Sequence, residues 1–492
     1  MEAYQKLFER SRECALLNTT VALLHWDHQT HLPPAGAAYR GEQTAHLCSL
    51  SHRLFTAPKT GAWLSDCENS KGSLDKIRKA NLREWRKRYD RAVKIPVKLV
   101  EELERATSAA HEAWGEARKA KDFGVFRPHL ETIVRLRLQM AERWGYEDSP
   151  YDALLDEYEP GARSEELAGL FEILAPKVAA LANRGVEKFL ENPAILPPGP
   201  YPIGQQEKFN QLVAAKIGFD FQAGRIDTSA HPFCTGIGPG DHRLTTRYNE
   251  SDFTSSLYGI LHEAGHGLYE QGLPREHYGT PAGEAVSLGI HESQSRFWEN
   301  HIGRSSAFWE YWFPVVTDFF PQLKGSSPEA LTRYANRIEK SFIRVEADEV
   351  TYDLHIILRF EIEQRLIEGD LKAGEVPEYW NSRFEKLFGL KVPDDAAGCL
   401  QDIHWSGGSI GYFPTYTLGN LNAAQLSHTL KAEIKGLNAK LLRGEYGEIL
   451  NWLRLKIHAH GSCLKPLELI CQATGEAVDP EYHLKHLKEK VA

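Results

Sequence analysis

The stretch Leu257 to Glu270, LYGILHEAGHGLYE, constrains this chain more than any other, because it sets two histidines four residues apart with a glutamate directly after the first. On a helix, residues i and i+4 lie on one face a turn apart, so the imidazoles of His262 and His266 converge on a single ion. Glu263 sits about 100° further round, placed to take a proton from a metal-bound water without becoming a third ligand. The helix has independent support. Leu257, Ile260, Leu261, Ala264 and Leu268 form an apolar stripe at helical spacing, and Asp252 or Ser251 can cap its start.

A chain with 21 histidines produces such a pair by chance often enough that a third ligand decides the matter. A catalytic zinc takes three protein ligands and keeps one position open, and in this class a carboxylate from a second helix completes the set. Glu284 and Glu292 stand 18 and 26 residues after His266. Glu292 is the better placed: it lies in GEAVSLGIHESQSRFWENHI, where Val286, Ile290, Phe297 and Trp298 predict a second buried helix, with small polar residues following the glutamate.

The rest of the composition narrows the class. The 492 residues carry a net charge of −9, which argues against nucleic acid as the main partner, and no apolar run approaches the roughly 18 residues that span a membrane. Met1 to Glu9 is polar and charged, unlike a signal peptide. Seven cysteines without CxxC pairs or a disulfide spacing point to a reducing compartment, the cytoplasm.

From Glu2 to Phe189 the chain reads as long amphipathic helices broken at Leu32-Pro33-Pro34, Asn69 to Ser73, Ile95-Pro96 and Glu159-Pro160-Gly161, with Lys98 to Lys121 a clear case. The charged run Lys76 to Arg91 is a solvated helix face. A proline-rich connector, Asn192 to Tyr201, precedes a helix at Gln205 to Ile217. Between Gly218 and Tyr248 turn residues separate β-prone pieces, Phe219 to Phe221, Arg225 to Thr228 and Arg243 to Tyr248, which predict a small antiparallel sheet just before the histidine helix. Its edge suits an extended peptide held by main-chain hydrogen bonds; a hairpin that only covers the core is the alternative. Helices are predicted again at Ser306 to Phe320, Pro328 to Ser341, Glu349 to Glu368 and Pro377 to Phe388. With no repeat and no linker, residues 1–492 read as one mainly helical, all-α catalytic domain with a single small sheet.

Metal-assisted attack on a carbonyl also needs a donor for the oxygen that becomes negative. Gly398 to Asn420, GCLQDIHWSGGSIGYFPTYTLGN, offers His404, Tyr412 and Tyr416 among glycines, although such a segment is often just a packed loop. In Ile343 to Arg359, an arginine precedes Glu346, Asp348 and Glu349, acids that also suit a helix start.

The chain resembles the zinc metallocarboxypeptidases of the thermostable carboxypeptidase Taq family over nearly its whole length. The family's elements occur in order: His231-Pro232-Phe233, Asp241-His242-Arg243-Leu244-Thr245, the HExxH from His262 to His266, His291-Glu292-Ser293-Gln294, Ile343 to Asp348, and Gly398 to Trp405; Trp26 to Thr30 and Tyr151 to Gly161 look like family sequence too. The resemblance implies a two-lobed helical fold with a deep cleft, similar to neurolysin and angiotensin-converting enzyme, and a homodimer. It implies removal of single C-terminal residues from peptides with broad preference, C-terminal proline excepted. It further implies one zinc per chain, with cobalt a possible substitute, held by His262, His266 and Glu292. Glu263 would act as base, and His404 and Tyr412 as transition-state donors. Arg344, or else Arg243, would pair with the substrate's terminal carboxylate, and His231 would contact substrate. Elements that close one end of the groove disfavour an oligoendopeptidase. A silent peptide-binding scaffold is disfavoured by Glu263, which adds nothing to merely holding a metal.

Overall fold

Prolines and short polar caps punctuate the helices much as the sequence predicts. A computed structural model describes residues 2–70, 72 and 74–492, mostly helical with one small sheet. The first helix, Glu2–Thr30, stops short of Pro33-Pro34, and the break expected at Ile95-Pro96 falls between the helices Lys76–Lys94 and Val97–Ala120. The helix Pro58–Asn69 ends where expected, but of the break at Asn69 to Ser73, Lys71 and Ser73 lie outside the described residues. The helix expected to reach Ser341 ends at Ala335, where the Arg304 guanidinium donates to the Ala335 carbonyl and so satisfies one of the orphan acceptors at a helix end.

Two compact units are present. One gathers Met1–Ala92, Ala194–Ala335 and Asn422–Val478, and holds the larger apolar core, to which Leu257, Ile260, Leu261, Ala264 and Leu268 all contribute fully buried side chains. Burying each of the leucines and the isoleucine is worth about 1.5–3 kcal/mol, so the stripe on the histidine helix seats it firmly. The other unit comprises Val93–Pro193, Asn336–Leu421 and Asp479–Ala492, with Ile95, Leu99, Leu136 and Met140 among its buried residues. Its helix Tyr352–Glu368 follows a turn in which the Asp348 carboxylate accepts from the Val350 and Thr351 amides.

The sheet belongs to the first unit and corrects one expectation. Strands β1 (Gly224–Thr228), β2 (Cys234–Gly238) and β3 (Asp241–Thr246) lie in the order β1-β3-β2, with β3 antiparallel to β2 but parallel to β1. The sheet is mixed because the chain reverses after β1, runs down the far side as β2, then turns at Pro239-Gly240 into the central slot. Phe219 to Phe221 is a turn rather than a strand: the Asp220 carboxylate accepts from the Gln222 amide, a local bond that competes with strand pairing.

Candidate functional site

The histidine helix runs Phe253–Gly272, and Asp252, one of the two caps expected, accepts from the Thr254 amide at 2.9 Å. It is crossed by the helix Leu288–Arg296, capped by Ser287, which continues as a π-helix over Phe297–Gly303. The crossing is close enough to require a particular residue. A Cβ on Gly265 would fall 2.6 Å from both the Gln294 carbonyl oxygen and the Ser295 Cα. Glycine inside the HExxH therefore lets the second backbone approach until Glu292 reaches the histidines.

Ligand atoms of His262, His266 and Glu292 lie within 4.8 Å of one another, with Glu292 Oε2 3.6 Å from His262 Nε2 and 3.5 Å from His266 Nε2. The remaining polar atoms are engaged in a way that leaves those three facing inward. His262 Nδ1 is 2.9 Å from Glu299 Oε2, His266 Nδ1 is 3.0 Å from the His291 carbonyl, and Arg296 Nε donates to Glu292 Oε1 at 2.7 Å. Two imidazoles oriented from behind and a carboxylate oxygen, Glu292 Oε2, steadied by the Ser295 hydroxyl donating to it at 3.2 Å, fit a divalent, borderline-soft cation. Glu284 does not compete: it is substantially exposed and pairs with Arg88 at 2.7 Å.

Burial and charge act together here. Burial pushes the Glu263 carboxyl up to about 7, opposed by His262 and supported by Glu292. His262 is pulled down by burial but lifted to about 9 by Glu292, Glu299 and Glu263, whereas burial and the neighbouring His291 lower His266 to about 3. Glu292 is held well below the usual carboxylate range by His262 and Arg296 despite its burial, and Glu299 falls to about 2 through His262, Arg296 and Arg304 against the same burial cost. Glu299 and its two arginines escaped the sequence reading. The signal was present, since Glu299 is seven residues after Glu292 and so falls on the same helical face.

Of the other candidates in this unit, His231 is exposed between β1 and β2, with its carbonyl accepting from the Ser229 hydroxyl. Arg243, on β3, forks onto Asp241 at 2.9 and 2.8 Å and stacks 4.1 Å above the Trp26 ring. Thr245 of the same element ties down Phe233 by accepting its amide, so the two short sequence elements brace each other.

The second unit holds Arg344, His404 and Tyr412. Arg344 is buried and already partnered: Nε and Nη2 donate to Asp402 Oδ1 at 2.9 and 2.8 Å, and Nη1 to the Tyr352 hydroxyl. The pairing follows from burial, because a buried cation needs a counter-charge. The fully buried Arg359 donates to the other oxygen of Asp402, so one carboxylate serves two guanidiniums and the group keeps a surplus positive charge. Burial lowers His404 to about 4, Asp402 opposing and the two arginines assisting, which leaves the imidazole neutral at pH 7. His404 Nε2 is 3.3 Å from the Tyr416 hydroxyl, and Tyr412 packs edge-on against Tyr158 with ring centres 5.2 Å apart.

Residues 6–491 match the family described as carboxypeptidase Taq (M32) metallopeptidase. The chain is 44% identical to thermostable carboxypeptidase 1 of Thermus thermophilus, covering 100% of this chain and 98% of the relative. Among solved structures, metallocarboxypeptidase 1 of Trypanosoma cruzi superposes with a TM-score of 0.96 at 37% identity, and the M32 carboxypeptidase of Deinococcus radiodurans R1 with 0.95 at 38%, each alignment covering 100% of this chain and 99% of the other. Sequence, fold and the convergence of two histidines with a glutamate agree, and the chain belongs to the carboxypeptidase Taq (M32) family of metallopeptidases.

Proposed function

We propose that residues 1–492 act as one catalytic domain, a zinc carboxypeptidase that removes single C-terminal residues from peptides with broad preference, C-terminal proline excepted. The observation that carries this is the inward convergence of His262 Nε2, His266 Nε2 and Glu292 Oε2 beside the buried Glu263. Those three would hold one metal ion per chain, zinc or cobalt according to supply. When bound, the ion supplies Lewis-acid polarisation of the scissile carbonyl and acidifies water.

Glu263 takes the proton from the attacking water and passes it to the leaving amine. Its place directly after His262 on the helix Phe253–Gly272, buried beside the three proposed ligands, suits both steps. His404 and Tyr412 serve as donors to the carbonyl oxygen as charge develops there, and the neutral imidazole of His404 still carries one N–H to donate. The surplus positive charge shared by Arg344 and Arg359 favours Arg344 as anchor of the substrate's terminal carboxylate; Arg243, already forked onto Asp241, is the weaker candidate, and His231 contributes a contact from the loop before β2. Seven cysteines that form no disulfide fit a reducing cytoplasmic setting, and the family resemblance supports a homodimer.

Digestion of a defined peptide, followed by mass spectrometry with and without a chelator, tests the proposal. Expected is a ladder of C-terminal truncations that stops when metal is removed. Internal cleavage would instead mark an endopeptidase, and an intact peptide a binding scaffold.

A further inference from the structure

Glu363 is fully buried on the helix Tyr352–Glu368, and its hydrogen-bond donors are neutral. The Tyr151 hydroxyl and the Gly411 amide donate to Oε2 at 2.8 and 3.0 Å, and the Trp405 indole donates to Oε1 at 2.9 Å. Burial pushes the Glu363 carboxyl up to about 7 although the three donors and Arg359, one turn earlier on the helix, oppose it, so a carboxyl placed in this way is costly compared with an apolar residue of similar size and packing alone gives no reason for it. The three donors supply one. Trp405 directly follows His404, and Gly411 directly precedes Tyr412. Tyr151 opens the segment YDALLDEYEPG, whose Tyr158 packs edge-on against the Tyr412 ring.

The backbone is matched to the same arrangement. Gly411 has φ +95°, and a Cβ there would lie 2.9 Å from the Leu154 carbonyl carbon, so the loop presses directly onto the Tyr151 segment. One carboxylate thus fastens the stretch from His404 to Tyr412 just inside each of its ends and joins both points to the surface that supports the Tyr412 ring.

We propose that Glu363 is a positioning residue for the reaction, a buried three-way acceptor that fixes His404 and Tyr412 in their donating geometry and gives the Tyr151 to Gly161 segment its role. This rests on the assignment of His404 and Tyr412 as transition-state donors. Glu363 touches neither substrate nor metal in this scheme; it acts through the loop.

Glu363→Gln preserves shape but turns an NH2 group toward one of the N–H donors, which loosens one attachment. In steady-state assays on a defined peptide, kcat should fall roughly tenfold or more while KM stays within about twofold, because the donors are needed mainly in the transition state. Adding Tyr412→Phe to Glu363→Gln should cost less than about a further twofold, since a misplaced hydroxyl has little left to lose. Unchanged kcat, an equal effect on KM, or losses that multiply in the double variant would each overturn the positioning role. Should Glu363→Gln fail to fold by circular dichroism, Tyr151→Phe, which deletes a single hydroxyl, is judged by the same criteria and should give a smaller kcat loss of the same pattern. Tyr412→Phe alone at wild-type kcat would instead overturn the donor assignment beneath the proposal, a failure visible before any Glu363 variant is made.

Discussion

Glu263→Gln removes the ability to accept a proton while leaving the size of the side chain and the three neighbouring ligands in place. Metal content should be retained and kcat should fall by roughly a hundredfold or more; a variant keeping above about a tenth of wild-type kcat would remove Glu263 from its role. Arg344→Ala tests the anchor. Because Asp402 also holds Arg359, deleting Arg344 leaves a balanced pair behind, and the surplus positive charge disappears without stranding a buried anion. The loss should therefore appear mostly in KM, at about 2–5 kcal/mol, or roughly thirtyfold to several thousandfold in kcat/KM. A peptide amidated at its C-terminus should be a poor substrate for the wild type, and the variant should narrow the gap between acid and amide. If the gap persists at its wild-type width, Arg243 is the next residue to test. The convergence of His262 and His266 was legible because i, i+4 spacing is local, whereas the approach of Glu292, 26 residues after His266, rests on the crossing of two helices. The sharing of Asp402 by Arg344 and Arg359 was not legible, since it joins positions 58 and 43 residues apart that nothing in one sequence pairs.

The crossing of the two ligand-bearing helices makes a sharper prediction than any propensity. Alanine normally stabilises a helix interior by about 1 kcal/mol over glycine, yet at Gly265 the new methyl would meet backbone atoms at 2.6 Å, and backbone cannot rotate away. Gly265→Ala should destabilise by about 1–3 kcal/mol and weaken metal retention, because the helices separate and Glu292 is withdrawn. Thermal melting and metal analysis after dialysis would check this, and a stabilised variant with full metal would show that the crossing tolerates a side chain. At this scale the long helices were legible to within a few residues: Lys98 to Lys121 was expected and Val97–Ala120 is found, and Gln205 to Ile217 became Ile203–Ile217. Strand β2, CTGIG, was missed because its glycines carry no β-forming pattern and its pairing with β3 alone makes it a strand. The π-helix after Arg296 was equally hidden, since the apolar spacing of Phe297 and Trp298 reads the same in either geometry.

His262, His266 and Glu292 all belong to the unit built from Met1–Ala92, Ala194–Ala335 and Asn422–Val478, so if these three hold the metal as proposed, its affinity is linked to the folding of that unit. Unfolding carries Glu292 away from the histidine helix and destroys the site, and an ion that binds only the folded state stabilises it by about 4 kcal/mol at a thousandfold excess over its Kd. Scanning calorimetry should therefore show a transition lowered by several degrees when a chelator is added and restored when zinc is returned. The same experiment separates ligands from the base. Glu292→Ala should melt at one temperature with or without chelator, having lost the third ligand, whereas Glu263→Gln should keep the full chelator-dependent shift despite its loss of turnover. If the wild type melts identically in both conditions, the three residues do not form the metal site, whatever the peptidase assay reports. If only one part of a divided melting profile moves, that part belongs to the unit carrying the histidine helix, and the remaining transition should respond to Glu363→Gln but not to metal.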